Sequence, residues 1–168
     1  AVGGGKLSAF ATDTEVVASL APVIEALVGP PDEFARLLPV LQAAVDPSDP
    51  AVWGAHVLED RFDDAPAPDL LFPVAQFDET VPPSSAKALA RGLRIPHLSP
   101  VPDPVPTLTV VDGPLAGNGP GGATVAYFQL DRVTEGGVVE AANHDNVPGS
   151  DEVRWMTLGL FDGHLSGS

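Results

Sequence analysis

Two short apolar segments, each followed by a polar turn and a helix-like segment, constrain the fold of this chain most strongly. They span residues 70–75 and 124–130. A continuous apolar run of this length predicts a strand that is buried on both faces, as in a parallel sheet. Pro73 weakens the prediction for residues 70–75, because proline cannot donate a hydrogen bond to a neighbouring strand. Helices are predicted over residues 84–93 and from 150 to 161. The sequence therefore predicts an α/β fold.

Two amphipathic helices are predicted before the first strand. Residues 12–28 and 31–45 carry Val and Leu at the spacing of one helical stripe. A Gly-Pro pair separates them, and each contains a proline, Pro22 in the first and Pro39 in the second. We expect the first helix to begin in a capping box at Thr12 and to kink or divide at Pro22. This pattern indicates either a cap over an apolar site or ordinary core helices, and it does not separate the two.

Irregular chain is predicted between these elements. Residues 46–68 are rich in Asp and Pro and indicate a solvated connector, and residues 95–122 indicate a surface excursion with at most one short strand over 107–111. The segment from 131 to 149 is predicted to be a loop, with Ser150 as the N-cap of the last helix.

Charge and composition exclude several classes of function. The 168 residues include 8 basic and 23 acidic ones, giving a net charge of −15, so the surface repels phosphate backbones and a nucleic-acid partner is not expected. Cysteine is absent, which rules out a disulfide, a thiolate metal site or a cysteine nucleophile within the sequence. No apolar run approaches the roughly 18 residues of a membrane-spanning helix. We therefore expect a chain that does not span a membrane.

Residues that carry chemistry in an open parallel sheet lie in the loops after the carboxyl ends of its strands. Asp78 follows the first predicted strand, and His144 lies in the polar segment after the second. A carboxylate bound to one imidazole nitrogen fixes the ring tautomer, so that the other nitrogen can deprotonate a hydroxyl nucleophile. Asp78 and His144 are therefore a candidate catalytic pair, although a histidine in a polar loop is more often simply solvated.

Residues 71–93, LFPVAQFDETVPPSSAKALARGL, resemble the acid-bearing segment of α/β-hydrolase-fold esterases and lipases, in which Asp-x-x-Val-Pro follows a late strand. Asp78, Val81 and Pro82 fill this pattern. The segment ANHDNVPGSDEVRWMTLGLFDGHL is similar to the histidine loop and last helix of that family. With the GGG of residues 3–5 near a strand end, two inserted helices and LQAAVDPSDP before the acid, the chain resembles large bacterial extracytoplasmic lipase-like hydrolases.

This resemblance implies the C-terminal portion of an α/β-hydrolase fold. Residues 1–53 would hold the end of a strand and a helical cap insertion, and residues 54–168 would hold the last parallel strands with their flanking helices. Asp78 and His144 would be the catalytic acid and histidine, and no cofactor would be needed. An extracytoplasmic location, whether secreted, periplasmic or lipid-anchored, would follow.

The nucleophile of that family is not in this sequence. The family carries its serine in a Gly-x-Ser-x-Gly elbow upstream of the acid, and no such motif occurs here. Helix capping or solvation accounts for Ser8, Ser19, Ser84, Ser85 and Ser150. The resemblance therefore implies an ester hydrolase that acts through an acyl-serine, with the N-terminal half of the same enzyme as its partner and an apolar ester as its substrate. The start at Ala1, without Met or an export signal, is interpreted as a processed or excised piece.

A non-catalytic acidic binding module is the alternative function. Acidic clusters in residues 46–49, 60–64 and 145–151 offer the oxygen ligands that calcium prefers, but none has EF-hand spacing, so a solvated acidic surface is favoured. His56, His97 and His164 are predicted to be surface or packing residues, and no metal site is predicted.

Overall fold

The structure, a computed structural model, describes residues 5–62 and 64–166. The helices of this part of the chain are α1 (Ser8–Asp13), α2 (Glu15–Ala18), α3 (Ala21–Val28), α4 (Pro31–Val45), α5 (Pro50–Trp53), α6 (Ala55–Leu58), α7 (Pro83–Leu93) and α8 (Asp151–Ser166). The strands are β1 (Leu70–Ala75), β2 (His97–Leu98), β3 (Val110–Val111), β4 (Val125–Leu130), β5 (Arg132–Glu135) and β6 (Val138–Ala141). Gly3 and Gly4, at the expected strand end, lie outside the described residues. None of the helices described is long and apolar enough to cross a bilayer.

The fold is mixed α/β, with a four-stranded parallel sheet flanked by helices and a small antiparallel hairpin. The strand order in the sheet is β1-β4-β2-β3, and β5 pairs with β6 in the hairpin. Both strongly predicted strands are confirmed, the first over the predicted residues and the second to within one residue. They lie side by side in parallel.

Pro73 is compatible with β1 because this strand has one neighbour in the described sheet. Leu70 N donates to Thr124 O and Gln76 N donates to Leu130 O, each at 2.9 Å. Alternate residues of a strand point their amides to opposite sides, so the amide position of Pro73 faces away from β4. No ladder hydrogen bond is lost there.

Alternation along β1 and β4 divides the core between the two faces of the sheet. One face packs on α7 through Phe72, Val74, Val125, Tyr127, Ala86, Ala90 and Leu93. The other carries Ala75 and Leu130, which pack with the hairpin and the start of α8 through Val133, Ala142, Val147 and Val153. Ser150 caps α8 as predicted, because its Oγ accepts from Val153 N at 3.3 Å.

Helix α7 confirms the predicted helix, including its end at Leu93. Its C-cap is Arg94, which has a left-handed backbone (φ 56°), and Gly92 lies inside the helix. Gly92 permits a close approach to α5, since a Cβ there would lie 2.2 Å from the carbonyl oxygen of Ala51. Gly54 approaches the Gly92 backbone in the same way.

Gly92→Ala should lower the free energy of unfolding by about 2 kcal/mol or more, because two backbones would have to separate. Gly159→Ala is the matched control, since a Cβ at this position of α8 meets nothing within 4 Å. It should raise stability by about 0.5 to 1 kcal/mol through helix propensity. Urea denaturation measures both, and equal effects of the two substitutions would contradict the close packing of α5 on α7.

The N-terminal helices differ in part from the prediction. The helix expected over 12–28 is divided among α1, α2 and α3, and the expected capping box is wrong, because Thr12 lies within α1. A division falls beside Pro22, as expected, since Pro22 is the second residue of α3, and α4 spans the predicted 31–45 with Pro39 inside it. No residue of α4 is buried, so the core-helix alternative does not hold for that helix. Exposed apolar side chains of α3, α4 and the turn before α3 include Leu20, Val23, Leu27, Leu37, Val40 and Leu41.

The predicted solvated connector over 46–68 is wrong in its first half. This part contains α5 and α6, and Asp49 is fully buried. Its carboxylate accepts hydrogen bonds from Lys6 N (2.8 Å), Leu7 N (2.7 Å), Ala51 N (2.9 Å) and Gln42 Nε2 (2.8 Å). Burial alone would raise the pKa of Asp49, but these hydrogen bonds outweigh it and lower the pKa. One carboxylate therefore joins the N-terminal segment, α4 and α5.

Asp49→Asn should lower the free energy of unfolding by about 2 to 4 kcal/mol at pH 7, because charge-assisted hydrogen bonds are lost in a buried site. A depressed folded-state pKa stabilises the fold above the unfolded value of about 3.9 and loses this effect as the pH falls through the folded value. The deficit of the variant should therefore shrink below about pH 4.

The exposed Asp112→Asn is the control for this substitution, and thermal unfolding from pH 3 to 7 is the measurement. A deficit that stays constant over this range would contradict the role of the charge.

Two regions predicted to be irregular contain strands. Within 95–122 the structure has β3 in the expected place and also β2, which was not predicted. The predicted loop over 131–149 is wrong, because β5 and β6 form a hairpin there. Gly136 and Gly137 form its two-residue turn with φ of 57° and 82°. Both positive values are those of a type I′ turn, so the Gly-Gly pair was the available signal.

Candidate active site

The loops after β1 and β4 meet at the same rim of the sheet. β1 and β4 are parallel and end at Ala75 and Leu130, which face each other in the ladder. The hairpin returns the chain to this rim, since Ala142 N donates to Asp131 O at 3.0 Å. Phe77 N donates to Ala142 O at 3.1 Å. The segment after β6 is thus held beside the segment after β1.

Asp78 is fixed inside its own turn. One carboxylate oxygen, Oδ1, accepts from Thr80 N at 2.9 Å and Val81 N at 2.6 Å. The other, Oδ2, lies 3.1 Å from Nδ1 of His144. The side chain of Asp78 has no exposed surface. A buried carboxylate needs such compensation, and here both oxygens have a partner.

His144 lies on a turn that two asparagines stabilise. Asn143 Oδ1 accepts from Asp145 N and Asn146 N, each at 3.0 Å. Asn146 in turn accepts from Asn143 N at 2.9 Å and donates from Nδ2 to Ala141 O at 2.8 Å. These reciprocal bonds give the backbone at His144 a defined conformation and join it to the end of β6. The structure thus places the two sequence-predicted site residues in hydrogen-bond contact.

The pair has the arrangement of a general base. A carboxylate is an acceptor only, so Nδ1 of His144 carries the proton of this hydrogen bond. The side chain of His144 is 31% exposed, and within the described residues Asp78 is the one partner of its ring. Nε2 of the Nδ1–H tautomer has a free lone pair, which can accept a proton from a hydroxyl.

Three serines of the described chain, Ser84, Ser85 and Ser150, have structural hydrogen-bond partners. Ser84 donates to Asp13, which lowers the pKa of that carboxyl, and Ser85 donates to Gly5 O. Ser150 donates to Val147 O at 2.8 Å. Among the described residues, no serine hydroxyl is hydrogen-bonded to His144.

His56 and His97 do not join the pair. His97 is buried with its ring centroid 4.7 Å from that of Tyr127, and burial lowers the pKa of His97. Burial likewise raises the pKa of Tyr127 to about 12. His56 stacks on Phe62, with ring centroids 4.3 Å apart. The side chain of His164 lies outside the described residues.

A metal centre has no geometric support in the described part of the chain. No three His, Asp or Glu side chains there are placed to hold a metal ion. The calcium-binding alternative therefore gains nothing from the acidic clusters. The acidic residue of these clusters that is fully buried, Asp49, is saturated by the hydrogen bonds described above.

A cavity of about 1050 Å³ lies away from the pair. It is lined by residues that precede β1 and β4, including Asp69 and Thr124, and by Met156 and Leu160 of α8. Neither Asp78 nor His144 lines it. No described residue of the N-terminal helices lines it either, so it is not the apolar site that those helices would cap.

Sequence reasoning did not identify three residues that support the pair. Asn143 and Asn146 stabilise the turn that carries His144. Two asparagines three positions apart are typical of such a turn, so the spacing Asn-x-x-Asn could have indicated it. Thr14 contacts the loop of Asp78 from 64 positions earlier in the chain, since its hydroxyl lies 3.0 Å from Glu79 O. No local pattern around Thr14 reveals that contact.

Comparisons with protein-family models, with curated proteins and with solved structures give no match for this chain. The assignment of function therefore depends on the residues themselves.

Asp78→Asn should reverse the tautomer of His144. The amide of Asn would accept from Thr80 N and Val81 N through its oxygen and donate to Nδ1 from its nitrogen, so the ring proton would move to Nε2. Two-bond ¹H–¹⁵N spectra of the imidazoles, recorded where the rings are neutral, report this change.

Asp145→Asn is the control, because Asp145 lies next to His144 but its side chain is exposed. An Nε2–H tautomer in the unsubstituted protein would contradict the hydrogen-bond assignment.

Proposed function

We propose that this chain is the C-terminal part of an α/β-hydrolase-fold serine ester hydrolase. One observation carries the proposal: a fully buried carboxylate, Asp78, lies 3.1 Å from the partly exposed imidazole of His144, at the rim where two adjacent parallel strands end. An aspartate and a histidine in this relation form two members of a catalytic triad. The chain order of acid and then histidine is that of the α/β hydrolases.

The architecture supports this family. A parallel sheet with α7 on one face and α8 on the other agrees with the last strands of such a fold, and the loops that carry the pair follow β1 and β4. The N-terminal helices, with their exposed Val and Leu side chains, fit a cap insertion. The domain division between residues 53 and 54 stays a prediction.

In the proposed mechanism His144 acts first as a base and then as an acid. Nε2 takes the proton of a serine hydroxyl while the serine oxygen attacks the ester carbonyl carbon. The resulting imidazolium returns the proton to the departing alkoxide, which leaves an acyl-serine. A water molecule then attacks the acyl-serine by the same route, releasing the acid and regenerating serine. Asp78 holds the tautomer and stabilises the imidazolium through Nδ1.

Serine and oxyanion donors would come from an N-terminal half of the same hydrolase. Apolar surface on the described chain supports such a partner, because Trp155, Leu158 and Phe161 of α8 are each more than half exposed. β1 has one neighbour in the described sheet, so its other edge is open to further polypeptide, and a strand pairing there would lack one ladder donor at Pro73. Additional polypeptide that covers α8 and β1 would complete the fold.

An uncharged ester with an apolar acyl group is the proposed substrate. The net charge of −15 disfavours anionic substrates, and the apolar side chains of α3 and α4 suit an acyl chain. An extracytoplasmic location, which the family resemblance implies, is part of this proposal.

The test uses the full-length protein and a short-chain aryl ester, p-nitrophenyl butyrate. His144→Gln and Asp78→Asn should each lower kcat/KM by about 10⁴-fold, because a triad that lacks its base or its orienting acid keeps only binding and oxyanion stabilisation. A fluorophosphonate probe should label one serine outside this chain, and labelling should fall with the same two substitutions.

His56→Gln and Asp145→Asn are the matched controls, since they make the same chemical changes away from the Asp78–His144 hydrogen bond. They should change kcat/KM by less than about three-fold. Full activity of the His144 variant, or a full-length protein with no esterase activity and no labelled serine, would overturn the proposal.

A further inference from the structure

The loop that carries Asp78 is held from two sides. From within, Asp78 Oδ1 accepts from Thr80 N and Val81 N. From outside, the hydroxyl of Thr14 lies 3.0 Å from Glu79 O and 3.3 Å from Thr80 O. Thr14 is 5% exposed, so this contact is shielded from water. The hydroxyl is the donor, because both partners are carbonyl oxygens.

The contact acts on the peptide groups that orient Asp78. Glu79 O belongs to the same peptide plane as Thr80 N, and Thr80 O belongs to the plane of Val81 N. These two amides are the donors to Asp78 Oδ1. The single proton of this hydroxyl is shared between the two carbonyls, so it restrains both amides. The direction of the carboxylate, and with it the distance from Oδ2 to His144 Nδ1, depends on them.

Thr14 is itself anchored by the segment before it. Gly5 N donates to Ser85 O at 3.0 Å, and Ser85 Oγ donates back to Gly5 O. Ser84 Oγ donates to Asp13, the residue before Thr14. These bonds dock residues 5–14 on the start of α7, which directly follows the acid loop. Thr14 thus has a defined position from which to hold that loop.

We propose that Thr14 is a positioning residue for the Asp78–His144 pair. This inference rests on the proposed function, because it assigns Thr14 a part in the same hydrolysis without contact to substrate. Val lacks the hydroxyl but matches Thr in shape, and Ser keeps the hydroxyl. Thr14→Val should therefore make the orientation of the Asp78 carboxylate less defined, and Thr14→Ser should preserve that orientation.

Kinetics of the full-length protein give the first readout. Thr14→Val should lower kcat for p-nitrophenyl butyrate about 10- to 100-fold with KM changed by less than about two-fold, since a small misplacement of a catalytic group affects the chemical step. Thr14→Ser should stay within about three-fold of the parent. Thr157→Val, which removes a hydroxyl bonded at 2.8 Å to Val153 O in α8, is the matched control and should leave kcat unchanged.

The imidazole ¹⁵N spectrum gives a second readout that does not require esterase activity. His144 should be the Nδ1–H tautomer in the parent, in Thr14→Ser and in Thr157→Val, and a mixture of tautomers in Thr14→Val. A tautomer shift in Thr14→Val supports the positioning role even if the full-length protein hydrolyses no ester, in which case the proposed function alone fails.

Unchanged kcat together with an unchanged tautomer in Thr14→Val would overturn the inference. So would equal losses in Thr14→Val and Thr14→Ser, which would indicate a steric role. If Thr14→Val does not fold, Thr14→Ala is compared with Thr157→Ala at a temperature where both are folded, with the same two readouts and the same criteria.

Discussion

β1 and β4 lie side by side in parallel, with Leu70 opposite Val125 and Ala75 opposite Leu130. This pairing decides where the chemistry of the chain can be, because parallel strands that end opposite each other deliver their following loops to one rim. Asp78 and His144 reach that rim by different routes. Asp78 follows β1 directly, whereas His144 arrives only after the β5–β6 hairpin has returned the chain to the end of β4. A shift of the β1–β4 pairing by one residue would displace the two loops relative to each other and would turn the core side chains of β1 to the other face of the sheet.

A buried carboxylate is stable only where protein groups donate hydrogen bonds to it. Asp78 has two backbone amides and one imidazole, and Asp49 has three backbone amides and one side-chain amide. The two buried carboxylates differ in what this arrangement leaves available. Asp49 accepts from protein groups only and joins segments of the fold. One hydrogen-bond partner of Asp78 is instead the partly exposed ring of His144. The hydrogen bonds that stabilise this buried carboxylate therefore also orient an imidazole that can exchange protons with a bound molecule.

The parts of the fold that sequence could predict are those with a local signal. Runs of apolar residues marked β1 and β4, the stripe in 31–45 marked α4, and Ser150 marked the start of α8. The hairpin had a local signal as well, the Gly-Gly pair with positive φ, but its strands are short and largely exposed, so neither alternates between buried and exposed residues as a typical strand does. β2 has two residues and forms because β4 and β3 lie on either side of it, which no short window of sequence contains.

The site shows the same division between local and distant information. Asp78 and His144 were identified because each follows an apolar strand in a polar loop, and the geometry places them in contact. Their supports were not identified. Asn143 and Asn146 act within a few residues of His144, but Thr14 acts across 64 positions. Hydrogen bonds between distant segments leave no periodicity in the sequence, so they emerge only from the folded structure.

Asp78 and His144 are held by contacts within this chain, whereas several apolar side chains on the surface of the fold are not covered. Every bond described for Asp78 and His144 comes from residues of this chain, between Thr14 and Asn146. In contrast, apolar side chains of α3, α4 and α8 remain exposed. A carboxylate and an imidazole preorganised in this way need no nucleophile to hold their geometry, because the energy that orients them comes from the loops. In the proposed hydrolase, the serine that this sequence lacks and a cover for the exposed apolar faces would both come from additional polypeptide that docks beside the pair.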